Sequence, residues 1–208
     1  MDPAENGGRR LLEWSIAAKP FPGETVAGDR AVVACSDGRA LVAAVDGLGH
    51  GPEAVRAAET AVGVLQQFAE EPVVSLVQRC HDALRATRGA ALSLASFSER
   101  DGSMTWLGVG NVDGKIVAPR RVDHTPNRSL LVRPGLAGRE LPPLACATVP
   151  VRLGDMLFLA TDGISRAFAD STDVFGSTRA IADRILEEHA KPTDDALVVV
   201  ARYLGAKQ

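Results

Sequence analysis

Asp-Gly pairs punctuate this chain between apolar runs, and that pattern restricts it to strands that double back on themselves. Ala31 to Cys35 and Ala40 to Val45 flank Asp37-Gly38, while Ala91 to Phe97 and Met104 to Val109 flank Asp101-Gly102. Glycine accepts a positive φ without steric cost, so Asp-Gly between apolar stretches favours a tight hairpin. The same signal at Asp113-Gly114 predicts another such turn. Antiparallel sheet should therefore dominate.

Helical spacing appears in three places. Pro52 to Ala69 sets Ala54, Ala58, Ala61, Val62, Leu65 and Phe68 near one face, with Pro52 suited to a first helical turn. Pro72 to Thr87 does the same with Val73, Leu76, Val77, Cys80 and Leu84, and Thr178 to His189 reads as a third helix. Leu11 to Ala18, Met156 to Ala160 and Ala196 to Tyr203 read as strands. Lys19 to Gly28 reads as a loop, and Pro119 to Pro150, with six prolines, as irregular chain with short strands. Strands and paired helices are grouped rather than regularly alternating, which favours an α+β layered domain over a doubly wound sheet.

With 208 residues and no internal repeat or long linker, a single domain over 1–208 is expected, residues 1–10 forming a flexible N-terminus. The chain is 46% hydrophobic but only 4% aromatic, so its core must be built largely from Ala, Val and Leu. A net charge of −3 gives no electrostatic reason to expect nucleic acid or an anionic membrane as partner. No apolar run approaches the roughly 20 residues of a membrane span, and no signal-type segment follows the N-terminus, so a cytoplasmic protein is expected. Cys35, Cys80 and Cys146 are too widely spaced for a zinc cluster and odd in number, and are read as reduced thiols.

Aspartates recur at the ends of the strand-like runs. Asp46-Gly47 follows Val42 to Val45, Asp162-Gly163 follows Met156 to Ala160, and Asp29 and Asp194-Asp195 stand at strand starts. Carboxylates gathered from distant parts of a chain repel unless a cation lies between them. Oxygen ligands without an accompanying His or Cys cluster favour magnesium or manganese over zinc.

Taken together, Gly28-Asp29, Asp46-Gly47 with Gly49-His50-Gly51, Asp162-Gly163 and Asp194-Asp195 before an apolar strand resemble the PPM-type metal-dependent serine/threonine phosphatases. Within that family the likeness is to the bacterial SpoIIE-like branch and its small RsbX-like stressosome phosphatases, and Gly108 to Gly114 is similar to their mid-domain hairpin. The resemblance spans roughly residues 11 to 203. It implies a four-layer α-β-β-α sandwich, two antiparallel sheets flanked by helix pairs, and a centre of two divalent ions, Mn²⁺ or Mg²⁺. Carried over by position, Asp46 bridges the ions, Gly47 offers its carbonyl, and Asp29, Asp162 and Asp194 complete the ligand set. The catalytic assignment falls on Asp46, Asp162 and Asp194. Asp195 takes a supporting role behind the ligands, as does His50, whose alternative is general acid to the leaving serine oxygen. Such a centre acidifies a water and holds phosphoryl oxygens for in-line attack.

The implied substrates are STAS-domain proteins of a stressosome or anti-sigma pathway bearing phosphoserine or phosphothreonine. The phosphate-binding arginine of larger relatives has no recognisable copy around Arg9 and Arg10, and Arg30 stands where many SpoIIE-like chains have aromatics. Two rivals compete with this reading: a phosphatase-like docking module without catalysis, and a nucleotide-binding protein. Against the second, Gly47, Gly49 and Gly51 form GxGxG rather than GxGxxG, with Asp46 beside the would-be pyrophosphate. Ser165 lacks recognisable triad partners and is read as structural.

Overall fold

A computed structural model describes residues 11–118, 128–168 and 174–205. The expected flexible segment 1–10 and the stretch 119–127 lie outside these residues. Strands β1 (Leu12–Lys19), β2 (Asp29–Ser36) and β3 (Arg39–Gly47) lead into helices α1 (Pro52–Gln67) and α2 (Val73–Leu84). Then come β4 (Ala90–Ser98), β5 (Ser103–Val109), β6 (Asp113–Val117), β7 (Arg128–Ser129), β8 (Val132–Arg133) and β9 (Ala147–Pro150). Finally β10 (Met156–Ala160), α3 (Thr178–His189) and β11 (Ala196–Tyr203) complete the described elements.

The strands form two sheets. One runs β1-β11-β10-β6-β7, the other β2-β3-β4-β5-β8 with β9 also paired to β5. Period-two alternation fixes which side chains meet. From β3, Val42 and Ala44 face β10 and β11, joining Leu157, Leu159, Leu197 and Val199 in a core between the sheets. Its alternate residues Leu41, Ala43 and Val45 pack with Leu65, Leu76, Val77, Cys80 and Leu84 of α1 and α2. On the other sheet, Phe158, Val198 and Val200 meet Ile181, Ala182 and Ile185 of α3. The α1 face is built from Ala54, Ala57, Ala58 and Ala61, and these small side chains let the helix lie close on its sheet. The few large core residues therefore matter more: Leu65, fully buried, should cost about 2–5 kcal/mol as Ala.

Three features differ from the sequence expectations. The Asp37-Gly38 hairpin is tight, with Gly38 at φ 69°, but the Asp101-Gly102 turn spans four residues between Ser98 and Ser103. Asp113-Gly114 is not a turn: both residues open β6, which pairs with β10 in the opposite sheet from β5. Gly114 is required there for space, because a Cβ would meet Leu130 Cβ at 2.9 Å. One short pairing, β5 with β8, is parallel. On the β1-β11-β10 sheet, α3 packs its buried face, and the second helix expected beside it is not tested by the described residues. No helix among them is long and apolar enough to cross a membrane.

Candidate metal centre

Strand register brings the first two aspartates face to face. Asp29 opens β2 and Asp46 is the last residue but one of β3, and the two are direct cross-strand partners. Like charges placed so are destabilising. From the other sheet, Asp162 follows β10 and Asp194-Asp195 precede β11, at neighbouring ends of two paired strands.

Side-chain hydrogen bonds then join the two sheets at this end. Thr161 Oγ1 donates to Asp29 Oδ2 at 2.7 Å, and the same hydroxyl accepts from Leu197 N at 2.9 Å. Asp195 is buried and accepts from Phe21 N at 2.6 Å and from Gly28 N at 2.9 Å, so both its oxygens hold the loop that delivers Asp29. Asn111, between β5 and β6, donates its amide to Asp162 Oδ2 at 2.6 Å. Asp194 Oδ1 accepts from Asp195 N at 2.9 Å. The Lys191 ammonium donates to the carbonyl of Asp162.

Three glycines permit this convergence through close approach, not unusual φ. A Cβ on Gly47 would fall 2.1 Å from Ala54 O, one on Gly163 1.7 Å from Asp195 O, and one on Gly28 2.9 Å from Ala54 Cβ. Each glycine adjoins one of the aspartates. The Asp-Gly repeats at 46–47 and 162–163 therefore arise from backbone packing as much as from turns.

The electrostatics are those of carboxylates gathered without enough compensating charge. Burial above all, then Asp46, raises Asp29 from 3.8 to about 8, against the opposing Thr161 hydrogen bond. Burial, then Asp162, raises Asp46 to about 7, against the Asn111 amide. Asp194 is raised by burial and Asp162, with Lys191 opposing. The relief at Asp29 and Asp46 thus comes from neutral donors, whereas a divalent cation would relieve all three together. The donor set is all oxygen, as hard cations require. Among the described residues no three His, Cys, Asp or Glu side chains already stand as a ligating group; the structure shows mutually repelling carboxylates at one end of the two sheets.

The sequence-derived candidates fall out as follows. Asp29, Asp46, Asp162, Asp194 and Asp195 gather here, with Gly47 beside Asp46. His50 sits at the rim, stacked on Phe21 with centroids 4.6 Å apart and its Nδ1 3.5 Å from Glu24 Oε1. Neither contact is to a carboxylate of the cluster, so His50→Ala should lower turnover less than tenfold. A loss of about 10²-fold with unchanged metal affinity would instead mark a general acid. Ser165 ties its turn to the end of α3, its N donating to His189 O at 2.8 Å. Sequence reasoning missed Asn111, Thr161 and Lys191. The first lies inside the singled-out Gly108 to Gly114 stretch and the second directly precedes Asp162, but polar residues there look like ordinary turn chemistry. A cavity of about 450 Å³ lined by Cys35, Arg39 and Phe68 lies at the opposite end of β2 and β3, away from the carboxylates.

Comparison with known proteins shows the family and the fold. The family model for stage II sporulation protein E (SpoIIE) matches residues 36–205. The phosphoserine phosphatase RsbX of Bacillus subtilis (strain 168) is 29% identical over 105 residues, which are 50% of this chain and 49% of RsbX. The match thus spans about half the length of that curated relative. A structure from work on the bacterial stressosome, described as a modular system adapted to control secondary messenger signalling, superposes with TM-score 0.83 at 31% identity. It covers 93% of this chain and 100% of the other. RsbX in complex with magnesium superposes equally well, TM-score 0.83 at 22% identity over 96% and 97% of the two chains. The PP2C phosphatase domain of Bacillus subtilis SpoIIE gives 0.75 at 18% identity, covering 94% of this chain and 64% of that one. With four fifths of its length matched by the family model, the chain belongs to the SpoIIE family of PP2C-type phosphatases.

Proposed function

We propose that this protein is a metal-dependent phosphatase acting on phosphoserine or phosphothreonine in STAS-domain partners of a stressosome-type pathway in the cytoplasm. The observation that carries the reading is the cross-strand pair of buried Asp29 and half-buried Asp46, facing Asp162 and Asp194 from the other sheet, in a chain matched by the SpoIIE model. In this reading the chain acts as one domain, a four-layer α-β-β-α sandwich supported by the three cores described above.

Asp29, Asp46, Asp162, Asp194 and the Gly47 carbonyl would hold two divalent ions, Mg²⁺ or Mn²⁺. When bound, such ions supply an acidified water and neutralise charge on the phosphoryl oxygens. The chain's own residues set the geometry. Thr161 fixes one oxygen of Asp29 and leaves the other free to ligate. Asn111 orients Asp162 in the same way. Asp195, with both oxygens committed to backbone amides, anchors the Phe21 to Gly28 loop instead of ligating.

The carboxylates also set a pH dependence. Asp29 and Asp46 have folded-state values of about 8 and 7 against 3.8 for the unfolded chain. Between about pH 4 and pH 8 the metal-free folded state therefore binds more protons than the unfolded one, and its stability falls as pH rises. The loss should be on the order of a few kcal/mol. Thermal melts in chelator should show the midpoint dropping from pH 5 to pH 8 and recovering at pH 8 when Mg²⁺ or Mn²⁺ is added. A metal-free midpoint that rises over this range would contradict the assignment.

Function is tested by incubating the purified protein, with metal or chelator, with an aryl phosphate and with phosphorylated STAS-domain proteins, following phosphate loss by mass spectrometry. Metal-dependent release from both supports the full reading. Activity on the aryl phosphate alone removes the STAS assignment and leaves the phosphatase. Inertness towards both, with partner binding retained, identifies a docking module.

A further inference from the structure

Beside the carboxylate cluster lies a surface of the opposite charge. Gly47 and Ala90 are register partners in β3 and β4, and Leu48 N donates to Gly89 O at 3.1 Å, so the turn 85–89 runs along the rim beside Asp46-Gly47. Arg88 lies in that turn, and one of its guanidinium nitrogens is 3.1 Å from where a Cβ on Gly49 would stand, which puts its charge against the Gly49 loop. Two more arginines are lashed to the same turn from other elements. Arg56 of α1 donates to Ala86 O at 2.9 Å, and Arg139 donates to Thr87 O at 2.6 Å and to Arg88 O at 3.3 Å. Arg139 is held in place because Ala137 exchanges both backbone hydrogen bonds with Ala90, and Gly138 N donates to His81 Nδ1 at 3.1 Å.

All three side chains are exposed, and the partners of Arg56 and Arg139 are carbonyls rather than carboxylates. Glu53, Asp82 and Glu140 lie nearby in the chain, but of these only Asp82 is ion-paired among the described residues, and it takes Arg85. Carbonyl anchoring fixes the guanidinium groups of Arg56 and Arg139 in place without neutralising them. The result is three positive charges next to the centre, two of them anchored and the third against the Gly49 loop, in a chain of net charge −3. Leu48, 49% exposed, adds an apolar contact between this patch and the carboxylates.

We propose that Arg56, Arg88 and Arg139 form a docking platform for an acidic segment of the protein substrate, steering its phosphorylated residue towards the adjacent carboxylate cluster. The identity of the partner as substrate rests on the phosphatase reading; the charge geometry does not. Fixed guanidinium groups suit carboxylates in bidentate geometry, and rim charges of this kind chiefly set encounter rate and partner choice.

The test is fluorescence anisotropy in chelator with short fluorescein-labelled phosphoserine peptides, one flanked by Glu and Asp and one by Ser and Ala. The acidic peptide should bind at least about tenfold tighter at low salt, with the gap closing as salt rises to about 0.5 M. Arg88→Gln with Arg56→Gln should abolish the gap, and Arg88→Lys should keep part of it, with thermal midpoints confirming that the variants fold. Equal binding of the two peptides, a gap that survives the double variant, or equally tight binding of a single-stranded oligonucleotide would overturn the proposal. Metal-dependent turnover of aryl phosphate, measured on the same preparations, should be unchanged in the double variant. Its absence from the wild type would remove the phosphatase reading while leaving the binding comparison to stand or fall by itself.

Discussion

Asp46→Asn should be catalytically dead yet, without metal, more stable than the wild type at pH 8. The substitution keeps the shape of the side chain but removes the charge that burial and Asp162 make costly and that Asp29 faces directly across the strand pair. Turnover of an aryl phosphate should fall by roughly 10³-fold or more, about 4 kcal/mol of barrier, in line with loss of a metal centre's contribution. In chelator the thermal midpoint should rise, because a repulsive group has been neutralised. Asp162→Asn and Asp194→Asn should also lose activity through weaker metal affinity. Asp195→Asn should be milder, since Asp195 holds backbone amides; a greater loss there than at Asp194 would reverse the roles given to that pair. Near-normal metal-dependent activity in Asp46→Asn would remove this residue from the centre.

Gly163→Ala should fail differently, by damaging the fold. A Cβ at this position would lie 1.7 Å from the carbonyl oxygen of Asp195 and 2.7 Å from its carbonyl carbon, both backbone atoms that cannot swing aside. Either the Asp162 turn or the start of β11 must move, and both carry proposed ligands. A loss of about 3 kcal/mol or more is expected, at the upper end of overpacking costs. Denaturant melts measure it directly. Gly63→Ala is the control, because nothing lies within 4 Å of its added Cβ, and a helical Gly→Ala change there should be neutral or stabilising. Equal effects from the two substitutions would show that crowding at Gly163 is not what requires glycine.

Much of the fold was legible because its elements carry local signals. The helix starting at Pro52 announces itself by Pro at its first turn and by the spacing of Ala54, Ala58, Ala61 and Leu65, and the structure places it over Pro52–Gln67. The Asp37-Gly38 hairpin was equally plain. Asp113-Gly114 misled because Asp-Gly has two physical causes. At Gly38 the need is a positive φ, whereas at Gly114, Gly47 and Gly163 it is room for a neighbouring chain. Only the fold separates these causes. The aspartates were visible because strand-end carboxylates are conspicuous against apolar runs. Asn111 and Thr161 were not, since their role depends on which strand ends the two sheets bring together. The arginine platform was hidden for the same reason: Arg56, Arg88 and Arg139 are scattered in sequence and gather only when Gly47 pairs with Ala90.

The central claim is that the clustered carboxylates form a divalent-cation site, and calorimetric titration of Mn²⁺ into chelator-treated, desalted protein tests it most directly. Binding should be saturable, should release protons at pH 7 because Asp29 and Asp46 are held partly protonated there, and should be abolished or greatly weakened in Asp46→Asn. Proton release is read by repeating the titration in buffers of different ionisation enthalpy. Saturable binding that is unchanged in Asp46→Asn and independent of buffer would place the metal elsewhere and contradict the account.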